Sequence, residues 1–135
     1  MPDKPLGNLA ILVGGGPAPG INGVISAATI EGMNQGFRVL GVRDGYKWLA
    51  QGGTDHIVRL TINGVKDIHL MGGSILGTSR TNPTKSEASM RNVLSALEEL
   101  GVSALVSIGG FRGSAQRPSF SIRIATGSYR SRSRC

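Results

Sequence analysis

A glycine-rich turn between a short apolar run and a helical pattern constrains this chain more than any other feature. Asn8-Leu-Ala-Ile-Leu-Val13 is apolar after its first residue and gives way to Gly14-Gly-Gly-Pro-Ala-Pro-Gly20. A short uninterrupted apolar run ended by glycines is the pattern of a strand buried on both faces of a parallel sheet. Beyond Gly20, the residues Ile21, Val24, Ile25, Ala28 and Met33 recur at roughly helical spacing before Gly36. Phe37-Arg-Val-Leu-Gly-Val42 follows as a second strand, closed by the turn residues Asp44-Gly45. Strand, glycine loop, helix and strand make a βαβ unit, which predicts an α/β fold: a parallel sheet layered by helices, Rossmann-like in plan.

Patterning is weaker between Trp48 and Gly73, where Ile57 to Leu60 reads as a short strand and Asn63 to Leu70 as a short helix stopped at Gly72-Gly73. Ser86 to Leu100 is the clearest helix, with Met90, Val93, Leu94, Leu97 and Leu100 on one stripe, Ser86 as N-cap and Gly101 as the stop. Val102-Ser-Ala-Leu-Val-Ser-Ile108 repeats the buried-strand pattern and runs into Gly109-Gly110. Two glycine turns at the ends of buried strands predict one shared site. With about four strands counted, the sheet is expected to be incomplete and to leave one edge unpaired.

Backbone N–H groups in the turn, together with the start of the following helix, face whatever occupies the crevice, and such a place favours anions and phosphate above all. Glycines allow close backbone approach, while Pro17 and Pro19 fix the turn and remove amide donors. A tight strand-to-helix turn without ligand is the plainer alternative. No Gly-Lys-Ser/Thr follows, so this is not a Walker A loop. A dinucleotide fingerprint fits poorly, because Gly14, Gly16 and Gly20 are spaced one residue too long and two prolines occupy the loop, although Arg43 or Asp44 could serve the ribose end.

Charge divides the chain in two. Through residue 110, nine basic residues face eight acidic ones; from 111 to 135, six arginines and six serines occur with no acid, which concentrates there most of the +7 net charge. With 39% apolar and 17% charged residues, the composition excludes a disordered polyelectrolyte. Cys135 is the lone cysteine, so an internal disulfide framework is excluded as well. Leu9 to Val13 is too short for a secretory core or a bilayer span, which leaves a cytoplasmic enzyme or binding protein as the expectation. The expected division is a globular portion over 1–110 and a disordered Arg/Ser-rich tail over 111–135.

Gly72-Gly-Ser-Ile-Leu-Gly-Thr-Ser-Arg80-Thr-Asn-Pro-Thr-Lys-Ser86 adds a further motif. Together with Gly15-Gly16-Pro-Ala-Pro-Gly20-Ile-Asn22, Asp44-Gly45-Tyr46 and Val106-Ser-Ile-Gly-Gly110, in order and at compatible spacing, it resembles the N-terminal, donor-binding part of the phosphofructokinase family over about residues 8 to 110. The resemblance implies phosphoryl transfer from ATP or pyrophosphate, with Mg²⁺, to fructose 6-phosphate, giving fructose 1,6-bisphosphate, in proteins that are homo-oligomers. It further implies that the Gly15 backbone meets the donor phosphates, with Gly16 and Gly20 shaping the same turn. Arg80 would contact donor phosphate and stabilise the transferring group, with Thr81 beside it. Tyr46 would edge the nucleotide pocket, and Gly110 would precede the metal-linked aspartate. The wording of the glycine loop and of the Thr78-Ser-Arg-Thr-Asn-Pro83 stretch leans towards pyrophosphate-dependent branches.

Plainer roles compete with these. Arg80 could be a solvated loop arginine, and Tyr46 and Trp48 could pack the sheet edge. His56 and His69 lack metal-ligand spacing and read as packing or surface residues, and Lys85 as a residue solvating a helix start. The chain also departs from the family. Phe111 stands where the metal-linked aspartate belongs, and phenylalanine cannot hold a hard cation, so no metal ligand is expected. The family's catalytic base lies in a downstream Thr-Ile-Asp-Asn-Asp type segment, whereas no acid follows Glu99. The expectation is a reading frame broken immediately after Gly110 and a chain inactive alone. A non-catalytic phosphate-binding fragment, or a basic arm for nucleic acid or acidic membranes, are the other readings, the last weakened by few stacking aromatics.

Overall fold

The computed structural model describes residues 6–15, 19–109 and 121–124. Five strands form one sheet in the order β3-β2-β1-β4-β5: β1 Asn8–Val13, β2 Arg38–Val42, β3 Ile57–Leu60, β4 Val102–Ile108 and β5 Ser121–Ile124. β1 pairs in parallel with both β2 and β4, while β3 and β5 run antiparallel to their neighbours at the two edges. The inner strands are parallel as the sequence predicts, and β3 is the exception. β3 follows β2 without a helix crossing a face of the sheet, so the chain returns antiparallel. The expected unstructured tail is corrected at residues 121–124, where β5 takes the edge of β4; the remainder of that stretch lies outside the described residues.

β1 is central because it is apolar on both faces. Ala10 through Val13 are fully buried. Leu9, Ile11 and Val13 point to one layer, containing Ile21 and Ile25 of α1 (Ile21–Asn34) with Val65 and Ile68. Ala10 and Leu12 point to the other, containing Leu49 and the α3 (Glu87–Glu99) residues Val93 and Ala96. Strands alternate their side chains, so an all-apolar run can supply two cores at once.

The helix faces differ from the expected stripes. α1 buries Ile21, Asn22, Ile25, Ser26, Thr29 and Gly32, leaving Val24 and Ala28 partly covered and Met33 exposed. Small residues on that face allow close approach: a Cβ at Gly32 would lie 2.6 Å from Leu9 Cδ2 and 3.1 Å from Val39 Cγ2. On α3, Val93 and Ala96 are buried, whereas Leu94 is 54% exposed. Ser86 caps this helix as predicted, its Oγ accepting from Ser89 N at 3.3 Å. The segment read as a helix over Asn63–Leu70 divides into α2 (Ile62–Val65) and a 3₁₀ turn at Ile68–Leu70, and Thr61 Oγ1 caps α2 by accepting from Gly64 N. Gly64 lowers helix propensity within this short stretch. Among the described residues no helix is long and apolar enough to cross a membrane.

Candidate functional site

α1 leads from β1 to β2 on one face, whereas α3 precedes β4 on the opposite face, and β2 and β4 flank β1 on opposite sides. The point where the connections change face is the β1/β4 boundary, and in open α/β sheets the crevice beyond the strand carboxyl ends at such a point is where ligands bind. Both glycine turns emerge there. Gly14 N donates to Ile108 O at 2.8 Å, so the β1 turn and the end of β4 are hydrogen-bonded neighbours. Gly109 has φ 94, and a Cβ there would collide with the Gly14 backbone oxygen, so no side chain fits between the two turns.

A third segment completes the junction. Gly15 N donates to Ser79 O at 2.9 Å, and Gly14 and Ser79 form an isolated parallel bridge. Arg80 leaves the backbone directly after this bridge and is exposed. Thr81 N donates to Ser79 Oγ at 3.1 Å, and the two hydroxyls lie 2.8 Å apart, which tightens the turn around Arg80. Across the crevice, α1 begins after Gly20, whose φ of 85 places it in the left-handed region; no side chain caps the helix and its first turn holds no acid. An uncapped helix start without acid leaves its N–H groups and positive dipole end available to an anion.

The loop after β2 packs against the same segment. Asp44 adopts φ 57, its N donates to Leu76 O at 2.8 Å, and its Oδ2 accepts from Trp48 Nε1 at 3.0 Å. Trp48 stacks on His56 with centroids 4.1 Å apart, and Lys47 Nζ lies 4.7 Å from the indole centroid. His56 is a packing residue and His69 is exposed. Tyr46 packs partly buried against the α3-side core. Gly15, Arg80 and Thr81 therefore gather at the strand ends, with Gly20 at the start of α1 and Tyr46 on the neighbouring loop; Gly16, Gly110 and Phe111 lie outside the described residues.

The carboxylate within these loops, Asp44, is engaged by Trp48, and among the described residues no three His, Cys, Asp or Glu side chains are grouped to hold a metal ion. The described residues do not fit a protein-held Mg²⁺. Two residues have larger parts in the geometry than their sequence context suggests. Ser79 joins the Arg80 turn to the glycine loop through its backbone. Asn22 is 2% exposed at the second position of α1 and bonds across to residues 71–75; a polar residue on the inward face of an otherwise apolar helix start is the signal that marks it.

A family model described as phosphofructokinase matches residues 8–122, which carries the match twelve residues past Gly110. A pyrophosphate–fructose 6-phosphate 1-phosphotransferase of Thermotoga maritima is 54% identical over 102 residues, covering 76% of this chain and 24% of the relative. One of the same name from Naegleria fowleri is 53% identical over 107 residues, covering 79% of this chain and 24% of the relative. An ATP-dependent 6-phosphofructokinase of Clostridium tetani is 38% identical over 102 residues, covering 76% and 31% respectively. The chain thus spans about a quarter of the length of the first two relatives. Among solved structures, a Saccharomyces cerevisiae phosphofructokinase superposes with TM-score 0.68 at 30% identity over 76% of this chain and 14% of its own. The Pichia pastoris enzyme in its T-state shares the fold with TM-score 0.72 at 24% identity, over 82% of this chain and 12% of its own.

Proposed function

Because the chain belongs to the phosphofructokinase family, we propose that its converging turns hold the phosphates of a phosphoryl donor, pyrophosphate or ATP. The reaction to which this portion contributes is transfer to the 1-hydroxyl of fructose 6-phosphate, giving fructose 1,6-bisphosphate. The carrying observation is the direct joining of Gly14 to Ile108 and of Gly15 to Ser79, which brings two glycine turns and the Arg80 turn to one place. Phosphoryl transfer asks little covalent chemistry of a protein; it needs phosphates held in line and their charge offset by fixed donors. Gly15 and Gly20 bound the turn, Gly16 is assigned to it by the family resemblance alone, and Arg80, with Thr81 beside it, supplies the fixed positive charge. Tyr46 borders the donor, and the Gly109 turn at the end of β4 lies beside it. Pyrophosphate is the favoured donor, because the two relatives above half identity carry it in their names.

The 135-residue chain by itself binds without turning over. No acid follows Glu99, and Asp44 is engaged by Trp48, so among the described residues of these loops no carboxylate is left to take the sugar hydroxyl's proton. Mg²⁺ accompanies the donor in the family, and among the described residues no cluster of His, Cys, Asp or Glu side chains could hold it. Residues 1–110 form the donor-binding portion, and the basic stretch 111–135 adds β5 to its sheet. A cytoplasmic location and assembly into homo-oligomers belong to the same proposal.

Titration calorimetry with pyrophosphate and with ATP, beside a coupled assay for fructose 1,6-bisphosphate, tests this. Wild-type protein is expected to bind, and Arg80→Ala to bind roughly ten-fold or more weakly, since hydrogen bonds to charged groups contribute roughly 1.5–3 kcal/mol. No product is expected from either. Folded wild-type protein that binds neither donor at millimolar concentration rejects the binding site, and turnover above the Arg80→Ala background rejects the inactivity.

A further inference from the structure

The Arg80 turn meets the glycine loop only if residues 71–79 are held in place, and one side chain outside both turns attaches that segment to the start of α1. Asn22 sits in the first turn of α1, 2% exposed. Its Nδ2 donates to Met71 O at 3.1 Å and reaches Gly72 O at 3.5 Å, while its Oδ1 accepts from Ile75 N at 2.9 Å. The amide's two N–H donors and its carbonyl are thereby directed into one loop some fifty positions along the chain.

From Ile75 the attachment continues through the backbone. Leu76 is 2% exposed and its carbonyl accepts from Asp44 N at 2.8 Å; three residues on, Ser79 O accepts from Gly15 N at 2.9 Å. Residues 71–79 are therefore fastened at three points: to the start of α1 by Asn22, to the β2 loop by Asp44, and to the β1 turn by Gly15. The first is the one made by a side chain, and it is the one that ties the helix start to the segment carrying Arg80. Gly72 and Gly73 lie within the clamped stretch, and a Cβ at either would meet nothing within 4 Å, so the loop is not wedged in place there by packing.

We infer that Asn22 is a positioning residue: it fixes the Arg80 segment against the start of α1 so that the arginine and the glycine turn address the same ligand. The inference rests on the phosphate-binding proposal for its purpose but not for its structural content. Chemistry makes the amide specific. Aspartate has the same shape and retains the acceptor for Ile75 N, but it has no donor for the Met71 and Gly72 carbonyls and sets a negative oxygen against them. An arrangement held only by shape would tolerate that change.

The experiment compares wild-type chain, Asn22→Asp and Val93→Ala, the last a core truncation on the opposite face of the sheet that serves as a stability control. Amide exchange is read at Gly15, Ile75 and Asp44 without ligand, and affinity for inorganic pyrophosphate by calorimetry. Asn22→Asp is expected to speed exchange at Ile75 and Gly15 at least ten-fold beyond Val93→Ala and to weaken pyrophosphate binding at least ten-fold, an effect Val93→Ala does not share. Equal effects of the two variants, or unchanged exchange at Gly15, overturn the inference. Wild-type protein that fails to bind pyrophosphate while Asn22→Asp still loosens Gly15 overturns the phosphate proposal instead. Should Asn22→Asp not fold, denaturant-dependent exchange in the wild type decides: Gly15, Ile75 and Asp44 opening together supports the clamp, and separate openings reject it.

Discussion

Thr29 lies at 0% exposure on the inward face of α1, and its Oγ1 has no hydrogen-bond partner among the described residues. A buried hydroxyl without a partner forfeits its hydration and receives nothing for it, a cost of about 1–3 kcal/mol. Valine has the same branching and no polar atom. Thr29→Val is therefore expected to raise stability by about 1 kcal/mol, read as a higher denaturant midpoint with unchanged slope; a lower midpoint would show that the hydroxyl has a role its surroundings conceal. Asn22, about two helical turns nearer the crevice on the same face, is the opposite case, with its side-chain amide satisfied. Neighbouring buried polar residues thus differ in kind, and only the partner census separates them.

Helices in this chain are fitted by different means. α1 has no side-chain cap and lies against the sheet through small residues, leaving its first N–H groups open towards the site. α3 carries the Ser86 cap, Glu87 in its first turn and the Arg91–Glu87 pair at 3.0 Å, so its start is satisfied by its own side chains. The exposed ion pair contributes little, whereas the cap bond counts. Ser86→Ala is expected to lower stability by about 1 kcal/mol, measured by thermal melting, and to leave pyrophosphate affinity unchanged, because α3 packs on the face opposite α1. Loss of affinity with stability restored by cooling would couple the two layers in a way the packing does not. The stripe on α3 was readable except at Leu94, and that on α1 except at Met33, while Ser26, Thr29 and Gly32 on the inward face gave no apolar signal. Hydrophobic periodicity finds a buried face only when burial is done by large apolar side chains.

At the scale of the whole molecule, the sheet ends on two antiparallel edges, β3 and β5. β5 satisfies backbone groups of β4 that would otherwise form an open template for another chain. Removing residues 111–135 is expected to produce concentration-dependent self-association, seen by light scattering at fixed ionic strength; a protein that stays monomeric at the same concentrations would show that β5 does not protect β4. The chain spans about a quarter of the length of two pyrophosphate-dependent relatives that it resembles.

Local chemistry determined much of this. β1, β4 and the Ser86 cap are where their residues put them, because continuous apolar runs between glycines can be buried only as inner strands, and a serine before an amphipathic stretch has one favourable use. The family motifs were legible for the same reason: glycine turns that must pass close to one another tolerate few other residues, as Gly109 against Gly14 illustrates. What remained for the tertiary structure was every relation between distant segments. That Ser79 bonds Gly15, that Asn22 clamps residues 71–75, that β3 runs antiparallel and that residues 121–124 join the sheet depend on which backbone groups meet in space. Each donor and acceptor is common to every residue, so the sequence states that such bonds must be made and leaves their partners to the fold.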